Sequence, residues 1–165
     1  ACESYRSDVE QVAAKYDMSA YVDLILALMM QESSGQGTDV MQSSEGAYNT
    51  QYPQTPNGIT DVDYSIACGI QELKYSMTKA DVTGPNDIAN IKLALQGYNF
   101  GADVYFNYLE KNGITSWSEE SSKAFAEIAS GETKRSKEDP LYDTAGPWDY
   151  GDQYYPEHVL RYYHS

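Results

Sequence analysis

One stretch of the chain is apolar on every side. All residues from Leu24 to Met30 are hydrophobic, within the segment AYVDLILALMMQE that runs from Ala20 to Glu32. A helix with this pattern has no polar face, so it must be buried. Glu32 ends the run and, at 100° per residue, follows the apolar stripe of Ile25 and Met29. The pattern predicts a buried central helix with a carboxyl group at its end, where burial raises a carboxyl pKa.

The remaining helical segments are hydrophobic on one face only. Their periodicity predicts further helices at about 7–16, 64–79, 86–97, 101–113, 118–131 and 156–163. The predicted start signals are Ser7 with Glu10, Ser19 for the central helix, Asp63, Asn86, Ser118, and Pro156 at the first helical position. No segment predicts a strand. The fold class is therefore all-α, with about seven helices around the buried one.

A glycine inside a helix and a long polar loop stand out from the helical pattern. Gly69 lies inside a predicted helix, where glycine costs about 1 kcal/mol relative to alanine, so a neighbouring backbone or a ligand should pass close to it. A polar segment of roughly thirty residues follows Glu32 without a helical period, and loops this long are either functional or disordered. Val40, Met41 and Ile59 give the segment packing anchors, which favours an ordered, functional loop.

The composition of the chain limits the classes of partner that it can bind. The chain has 165 residues, 11 basic and 25 acidic, and a net charge of −14, which argues against nucleic acid and anionic lipid as partners. No apolar run approaches the roughly 18 residues that a membrane span needs. The 16 tyrosines offer flat rings with polar tips, of the kind that sugar-binding clefts use.

Cysteine and histidine predict neither a metal centre nor a cofactor. Cys2 and Cys68 form either one disulfide or two free thiols, and Ala1-Cys2 also matches the end of a bacterial lipoprotein signal. His158 and His164 lack a cysteine or carboxylate partner at metal-ligand spacing. We interpret both histidines as surface or packing residues.

Four separated fragments carry a family resemblance: Glu32-Ser33, Met41-Gln42-Ser43-Ser44-Glu45, Ser65 to Gln71, and Gly97-Tyr98-Asn99-Phe100-Gly101. In this order they resemble the lysozyme-like superfamily, which includes goose-type lysozymes and soluble lytic transglycosylases. More narrowly, MMQESSGQGTDVMQSSE, DYSIACGI, ALQGYNFGADVY and HVLRYY resemble the muramidase domain of CwlT-type bifunctional cell-wall hydrolases of Gram-positive bacteria and their conjugative elements.

The resemblance implies one lysozyme-like catalytic domain over residues 1–165. It implies hydrolysis of the β-1,4 bond between N-acetylmuramic acid and N-acetylglucosamine in peptidoglycan strands, by a monomer that is secreted or held at the cell surface. In that family an endopeptidase domain of the NlpC/P60 type usually follows. The segment 39–44 departs from the Gly-Leu-Met-Gln-Ile pattern of the lytic transglycosylases, which argues against their 1,6-anhydro products.

Two other classes of function compete with the enzyme. An inactive glycan-binding module would lack the acid, so Glu32 in its expected place argues against it. A helical protein-interaction domain would leave the polar fragments unexplained.

Glycosidic cleavage needs a general acid and commonly a second carboxylate. We assign Glu32 as the acid. Asp63 is expected to cap a helix, which leaves Asp61 as first choice for the second carboxylate and Asp39 and Glu45 as alternatives. A carboxylate that activates water predicts hydrolysis, and the open loop favours inversion.

The predicted substrate-binding residues share short polar groups or a flat ring suited to N-acetyl and hydroxyl groups. They are Ser33, Gln42, Ser43, Ser44, Gln71, Tyr98 and Asn99. Each has a structural alternative: turn chemistry within the loop, an exposed helical glutamine, or a helix end with a packed tyrosine.

Overall fold

The computed structural model describes residues 1–164, and the fold is helical. The α-helices are α1 Arg6–Lys15, α2 Val22–Ser33, α3 Val62–Lys79, α4 Ile88–Phe100, α5 Ala102–Lys111, α6 Glu119–Ala129, α7 Pro140–Thr144 and α8 Tyr155–Leu160. The described residues form no strand beyond an isolated bridge between Lys134 and Trp148. The all-α prediction is confirmed, with α7 added between the helices predicted at 118–131 and 156–163. None of these helices has the length and apolarity to cross a bilayer.

Chain contacts divide the molecule into two compact units. The first contains residues 1–75, 84–86 and the segment from Val159 onward, and the second contains residues 76–83 and 87–158. In the first unit α2 packs against α1, and Leu24, Ile25 and Met29 are completely buried. The burial predicted from the apolar run is confirmed.

Helix starts follow the predicted caps only in part. Ser118 caps α6, since its Oγ accepts a hydrogen bond from Ser121 N at 3.1 Å. The predictions for Ser7 and Ser19 were wrong, because Ser7 lies inside α1 and Ser19 begins a short 3₁₀ turn before α2. Asn86 precedes the cap residue of α4, Asp87.

The start of α3 reverses the expected roles of two aspartates. The helix begins at Val62, so Asp61 and not Asp63 stands before its first residue. Asp61 Oδ1 accepts a hydrogen bond from Tyr64 N at 3.0 Å, and its backbone oxygen accepts one from Ser65 N. Asp63 lies in the first turn. A shift of two residues in the helix start thus moves the capping role from the predicted residue to its neighbour.

Aromatic rings form the core of the second unit. Phe100 stacks on Phe125 at a centroid distance of 4.9 Å, and Tyr105 meets Phe125 edge-on at 5.4 Å. Gly101, with a φ of 99°, separates α4 from α5 and produces the predicted helix break. Tyr150 packs on both phenylalanines from the segment after α7.

We call residues 145–153 the strap. Arg135, whose side chain is 5% exposed, donates from Nη1 to Gly146 O and from Nη2 to Gly151 O, each at 2.8 Å. Asn99 Oδ1 accepts a hydrogen bond from Asp152 N at 2.8 Å. The segment has little regular structure, yet these bonds fix its path on the second unit.

The two cysteines are free thiols, which decides between the two predicted alternatives. Both are buried, and Cys2 Sγ lies 3.9 Å from Met30 Sδ. Burial raises the pKa of the Cys68 thiol to about 11. Because burial raises the pKa of both thiols, neither has the lowered pKa and the exposure of a reactive cysteine.

Candidate active site

Glu32 lies in the last turn of α2 and is half-buried. The helix ends at Ser33, and Ser34 turns the chain with a left-handed φ of 56°. Ser33 Oγ donates to Val40 O at 2.7 Å and accepts from Gly35 N at 3.0 Å. These bonds fold the following loop back onto the end of α2. The Ser33 hydroxyl thus shapes the loop, and its contact with a sugar stays a prediction.

A buried carboxylate organises this loop. Asp39 is 2% exposed and accepts five hydrogen bonds. Its Oδ1 accepts from Ser43 N at 3.0 Å, Ser43 Oγ at 3.5 Å and Ser65 Oγ at 2.7 Å, and its Oδ2 accepts from Ser44 N at 3.2 Å and from Ser44 Oγ. Buried charges are tolerated when hydrogen bonds replace the lost water. Asp39 therefore holds the loop against α3 and is shielded from solvent, which removes it as an alternative second carboxylate in contact with water.

The polar residues of the loop divide into framework and surface. Ser43 and Ser44 are each 1% exposed, with Ser43 Oγ donating to Ser65 O and Ser44 bound to Asp39. Their hydroxyls therefore support the loop, where the sequence had predicted contacts with a glycan. Gln42 is exposed, although its Nε2 donates to Asn57 Oδ1 at 2.7 Å and so braces the loop surface.

The underside of the loop is hydrophobic. Val40, Met41 and Ile59 are completely buried, which confirms them as packing anchors. A Cβ on Gly69 would lie 2.6 Å from the Met41 Cβ. The predicted close approach at Gly69 is confirmed, and the group that approaches is the Met41 side chain.

Sequence reasoning missed Glu72, on the same face of α3. A Cβ on Gly46 would lie 1.5 Å from Glu72 Oε1, so the loop backbone passes directly over this carboxyl. Burial, followed by repulsion from Asp39 and Glu32, raises the pKa of the Glu72 carboxyl to about 8. Glu72 therefore lies within electrostatic range of Glu32, and its surroundings favour the neutral form of its carboxyl.

The spacing of residues along α3 could have indicated the position of Glu72. Ser65, Gly69 and Glu72 stand at positions i, i+4 and i+7, which share one helix face. Ser65 bonds the loop through Asp39, and Gly69 admits Met41. Glu72 follows Ser65 and Gly69 on this face, so its carboxyl meets the same loop that they contact.

The other predicted carboxylates are exposed. Asp61 caps α3, and Asp61 and Asp63 line a cavity of about 330 Å³ beside α1 whose lining does not include Glu32. Glu45 lies on the loop surface. The geometry gives Asp61 a structural duty and does not support it as the partner of Glu32.

The remaining predicted binding residues lie on α3 and α4. Gln71 is half-buried and donates to Ala67 O at 3.1 Å. Tyr98 and Asn99 belong to the last turn of α4 in the second unit. There the side-chain amide oxygen of Asn99 accepts the hydrogen bond from Asp152 N in the strap. The contact of Asn99 fits its structural alternative at a helix end. Gln71 bonds within its own helix but is half-buried, so it differs from the exposed glutamine of its structural alternative, and Tyr98 is half-exposed.

His158 forms a hydrogen-bonded pair with the Asp152 carboxylate. This contact gives His158 a packing role in the second unit. Residues 1–164 contain no group of three or more His, Cys, Asp or Glu side chains placed to hold a metal ion.

Residues 2–163 match the family model described as Lysozyme-like. The chain belongs to the lysozyme-like family. It is 32% identical to the bifunctional muramidase/DL-endopeptidase CwlT of Bacillus subtilis (strain 168), over 97% of this chain and 41% of CwlT. It is 36% identical to a pneumococcal vaccine antigen A homolog of Streptococcus pyogenes serotype M3, over 67% of this chain and 50% of that protein.

A solved structure shares the fold. The crystal structure of a protein described as similar to lipoprotein, NLP/P60 family, from Staphylococcus aureus subsp. aureus Mu50 superposes with a TM-score of 0.81 at 28% identity. The match covers 99% of this chain and 52% of the staphylococcal one. The chain thus spans about half or less of the length of these relatives.

Proposed function

We propose that this chain is a peptidoglycan hydrolase, an N-acetylmuramidase that cleaves the β-1,4 bond between N-acetylmuramic acid and N-acetylglucosamine. The observation that carries the proposal is Glu32, a half-buried carboxyl in the last turn of a helix that is buried from Leu24 to Met29, in a chain of the lysozyme-like family. The relative CwlT is itself named a muramidase.

Glu32 is proposed as the general acid. It would give its proton to the glycosidic oxygen as the bond to the muramic acid carbon breaks, and so stabilise the departing N-acetylglucosamine. The end of α2 suits this role because a rigid buried helix fixes the position of the carboxyl, while the half-buried environment leaves it open to a substrate.

The proposal is tested by digesting purified peptidoglycan and analysing the fragments by mass spectrometry. We expect muramic acid with a free reducing end, and no release of fragments by Glu32→Gln. Fragments lighter by one water, with 1,6-anhydromuramic acid, would replace the proposal by a lytic transglycosylase. Binding of glycan strands without cleavage would replace it by an inactive binding module.

The setting of the enzyme is a further part of the proposal. CwlT carries a DL-endopeptidase function beside its muramidase function and is longer than this chain. We therefore propose peptidoglycan strands as the partner, an adjoining NlpC/P60-type endopeptidase domain in the full-length protein, and a monomer acting at the cell surface. Fractionation of cells that produce the full-length protein tests this location.

A further inference from the structure

We propose that Tyr5 is a positioning residue of the cleavage site, which fixes the end of α2 and with it the Glu32 carboxyl. This inference rests on the proposed muramidase function, in which Glu32 is the general acid. The action of Tyr5 is indirect and passes through the turn that follows α2. We call that turn, residues 33–37, the elbow.

The backbone of the elbow is left-handed at two consecutive residues. Ser34 has a φ of 56° and Gly35 has a φ of 75°. The left-handed conformation is unfavourable for a serine, so it persists only where surrounding contacts enforce it. Without such contacts the elbow would relax, together with the last turn of α2 that contains Glu32.

Both polar backbone groups of Gly35 are hydrogen-bonded to side chains. Its N–H donates to Ser33 Oγ at 3.0 Å, and its carbonyl oxygen accepts a hydrogen bond from the Tyr5 hydroxyl at 2.9 Å. A Cβ built on Gly35 would lie 3.0 Å from Tyr5 Cε2 and 3.3 Å from Cys2 Sγ. The short 3₁₀ turn Cys2–Tyr5 therefore holds the elbow by close packing as well as by a hydrogen bond.

The segment that carries Tyr5 is itself packed on α2. Cys2 is 5% exposed, and its Sγ lies 3.9 Å from the Sδ of Met30, which is in the same helix turn as Glu32. The Met30 carbonyl oxygen accepts the hydrogen bond from Ser34 N at 3.1 Å that closes the helix. Tyr5 is half-buried and thus joins the elbow to a segment that contacts the same end of α2.

General acid catalysis depends strongly on the position of the acid. A displacement of about 1 Å can lower a catalytic rate by about 10²-fold. Helix ends open more readily than helix interiors, and Glu32 lies in the last turn of its helix. A hydroxyl group that limits this opening should therefore raise kcat without any contact with the glycan.

The first experiment removes the hydroxyl group alone. Tyr5→Phe should lower kcat on purified peptidoglycan by about 10-fold and leave KM within about twofold, because the acid is then out of position in most molecules. Tyr142→Phe, at a half-buried tyrosine of α7, is the matched control and should keep the parent values. Thermal melts should show that both variants are folded at the temperature of the assay.

A second substrate separates the positioning of the acid from a general loss of function. The dinitrophenyl glycoside of the disaccharide N-acetylglucosaminyl-N-acetylmuramic acid releases a phenolate, which leaves without a proton from the enzyme. Tyr5→Phe and Glu32→Gln should both lose rate on peptidoglycan and keep most of the parent rate on this glycoside. A tyrosine that only supports the fold would lower both rates alike.

Hydrogen exchange locates the effect without a measurement of activity. Tyr5→Phe should speed the exchange of the N–H groups of Ser34 and Gly35 several-fold, and leave those of Leu28 and Met29 unchanged. Gly35→Ala, whose new methyl group would press on the Tyr5 ring, should give the same local pattern and a lower kcat.

The outcomes separate the two proposals. If the parent hydrolyses peptidoglycan and Tyr5→Phe matches its kcat or its hydrogen exchange, Tyr5 is not a positioning residue and the muramidase assignment stands. Equal losses of rate on peptidoglycan and on the dinitrophenyl glycoside would also overturn the positioning role. A parent that cleaves no glycan overturns both proposals.

Discussion

The Asp39 carboxylate accepts a hydrogen bond of 2.7 Å from Ser65 Oγ, across 26 positions of sequence. Both residues are buried, so water does not compete for this hydrogen bond. It joins the loop after Glu32 to the face of α3 that carries Glu72. The position of this loop relative to α3 therefore depends on the buried Asp39 carboxylate.

Asp39→Asn should destabilise the fold by about 2–4 kcal/mol, because the new amide NH₂ would face a backbone N–H or a hydroxyl that now donates to the carboxylate. Urea unfolding followed by circular dichroism measures the loss. Asp81→Asn is the control, since this exposed residue has a φ of 57°, which asparagine also adopts. Equal stability of Asp39→Asn and the parent would contradict the organising role of Asp39.

Glu32→Gln should fold like the parent and lose about 10² to 10⁴-fold of its lytic rate, because the amide keeps the shape of the side chain and has no proton to transfer. Turbidity clearing of a cell-wall suspension gives the rate, with Glu10→Gln as the exposed control. A Glu32→Gln rate within about threefold of the parent would remove Glu32 from the mechanism.

Asp61→Ala should lower the free energy of unfolding by about 1 kcal/mol, because it removes the side-chain cap of α3. Asp63→Ala should cost about half of that or less, since Asp63 acts only through the helix dipole. Paired thermal melts of the two variants make the comparison. The reverse order would restore the capping role to Asp63.

Glu72 makes stability depend on pH. Its folded pKa of about 8 lies above the ordinary value of 4.5, so the folded state binds more protons between these limits. This contribution to stability is complete below about pH 4.5 and is lost as the pH rises through 8. The difference in unfolding free energy between Glu72→Gln and the parent should therefore grow in favour of the variant, by on the order of 4 kcal/mol across the window. A difference that is flat from pH 5 to 8.5, as expected for Glu10→Gln, would contradict the raised pKa.

Local patterns in the sequence predicted the parts of the fold that depend on local physics. The apolar run from Leu24 to Met30 allows only a buried helix, and Gly69 marks a close approach whatever the partner. The predicted helix caps were less reliable, because a helix start shifted by two residues moves the capping role from Asp63 to Asp61.

The site itself depends on contacts between distant segments. Ser43 and Ser44 look like free polar groups until Asp39 and Ser65 are seen to surround them. Glu72 resembles an ordinary polar residue of an amphipathic helix, because nothing near it in sequence shows that the loop backbone at Gly46 covers it. The position of Glu32 at the end of a buried helix could be predicted from the apolar run alone, and its catalytic role stays a proposal.

Three of the hydrogen bonds that hold the strap are made to its main chain. Arg135 binds the carbonyl oxygens of Gly146 and Gly151, and Asn99 binds the N–H of Asp152. At the glycines a Cβ would lie 1.9 Å from Gln153 Oε1 and 2.7 Å from Asn99 Oδ1, respectively. Natural selection on this segment should therefore act on the two glycines, on the inward side chains of Tyr150, Asp152 and Gln153, and on anchors outside it. The outward side chains are left free to diverge into new surface chemistry.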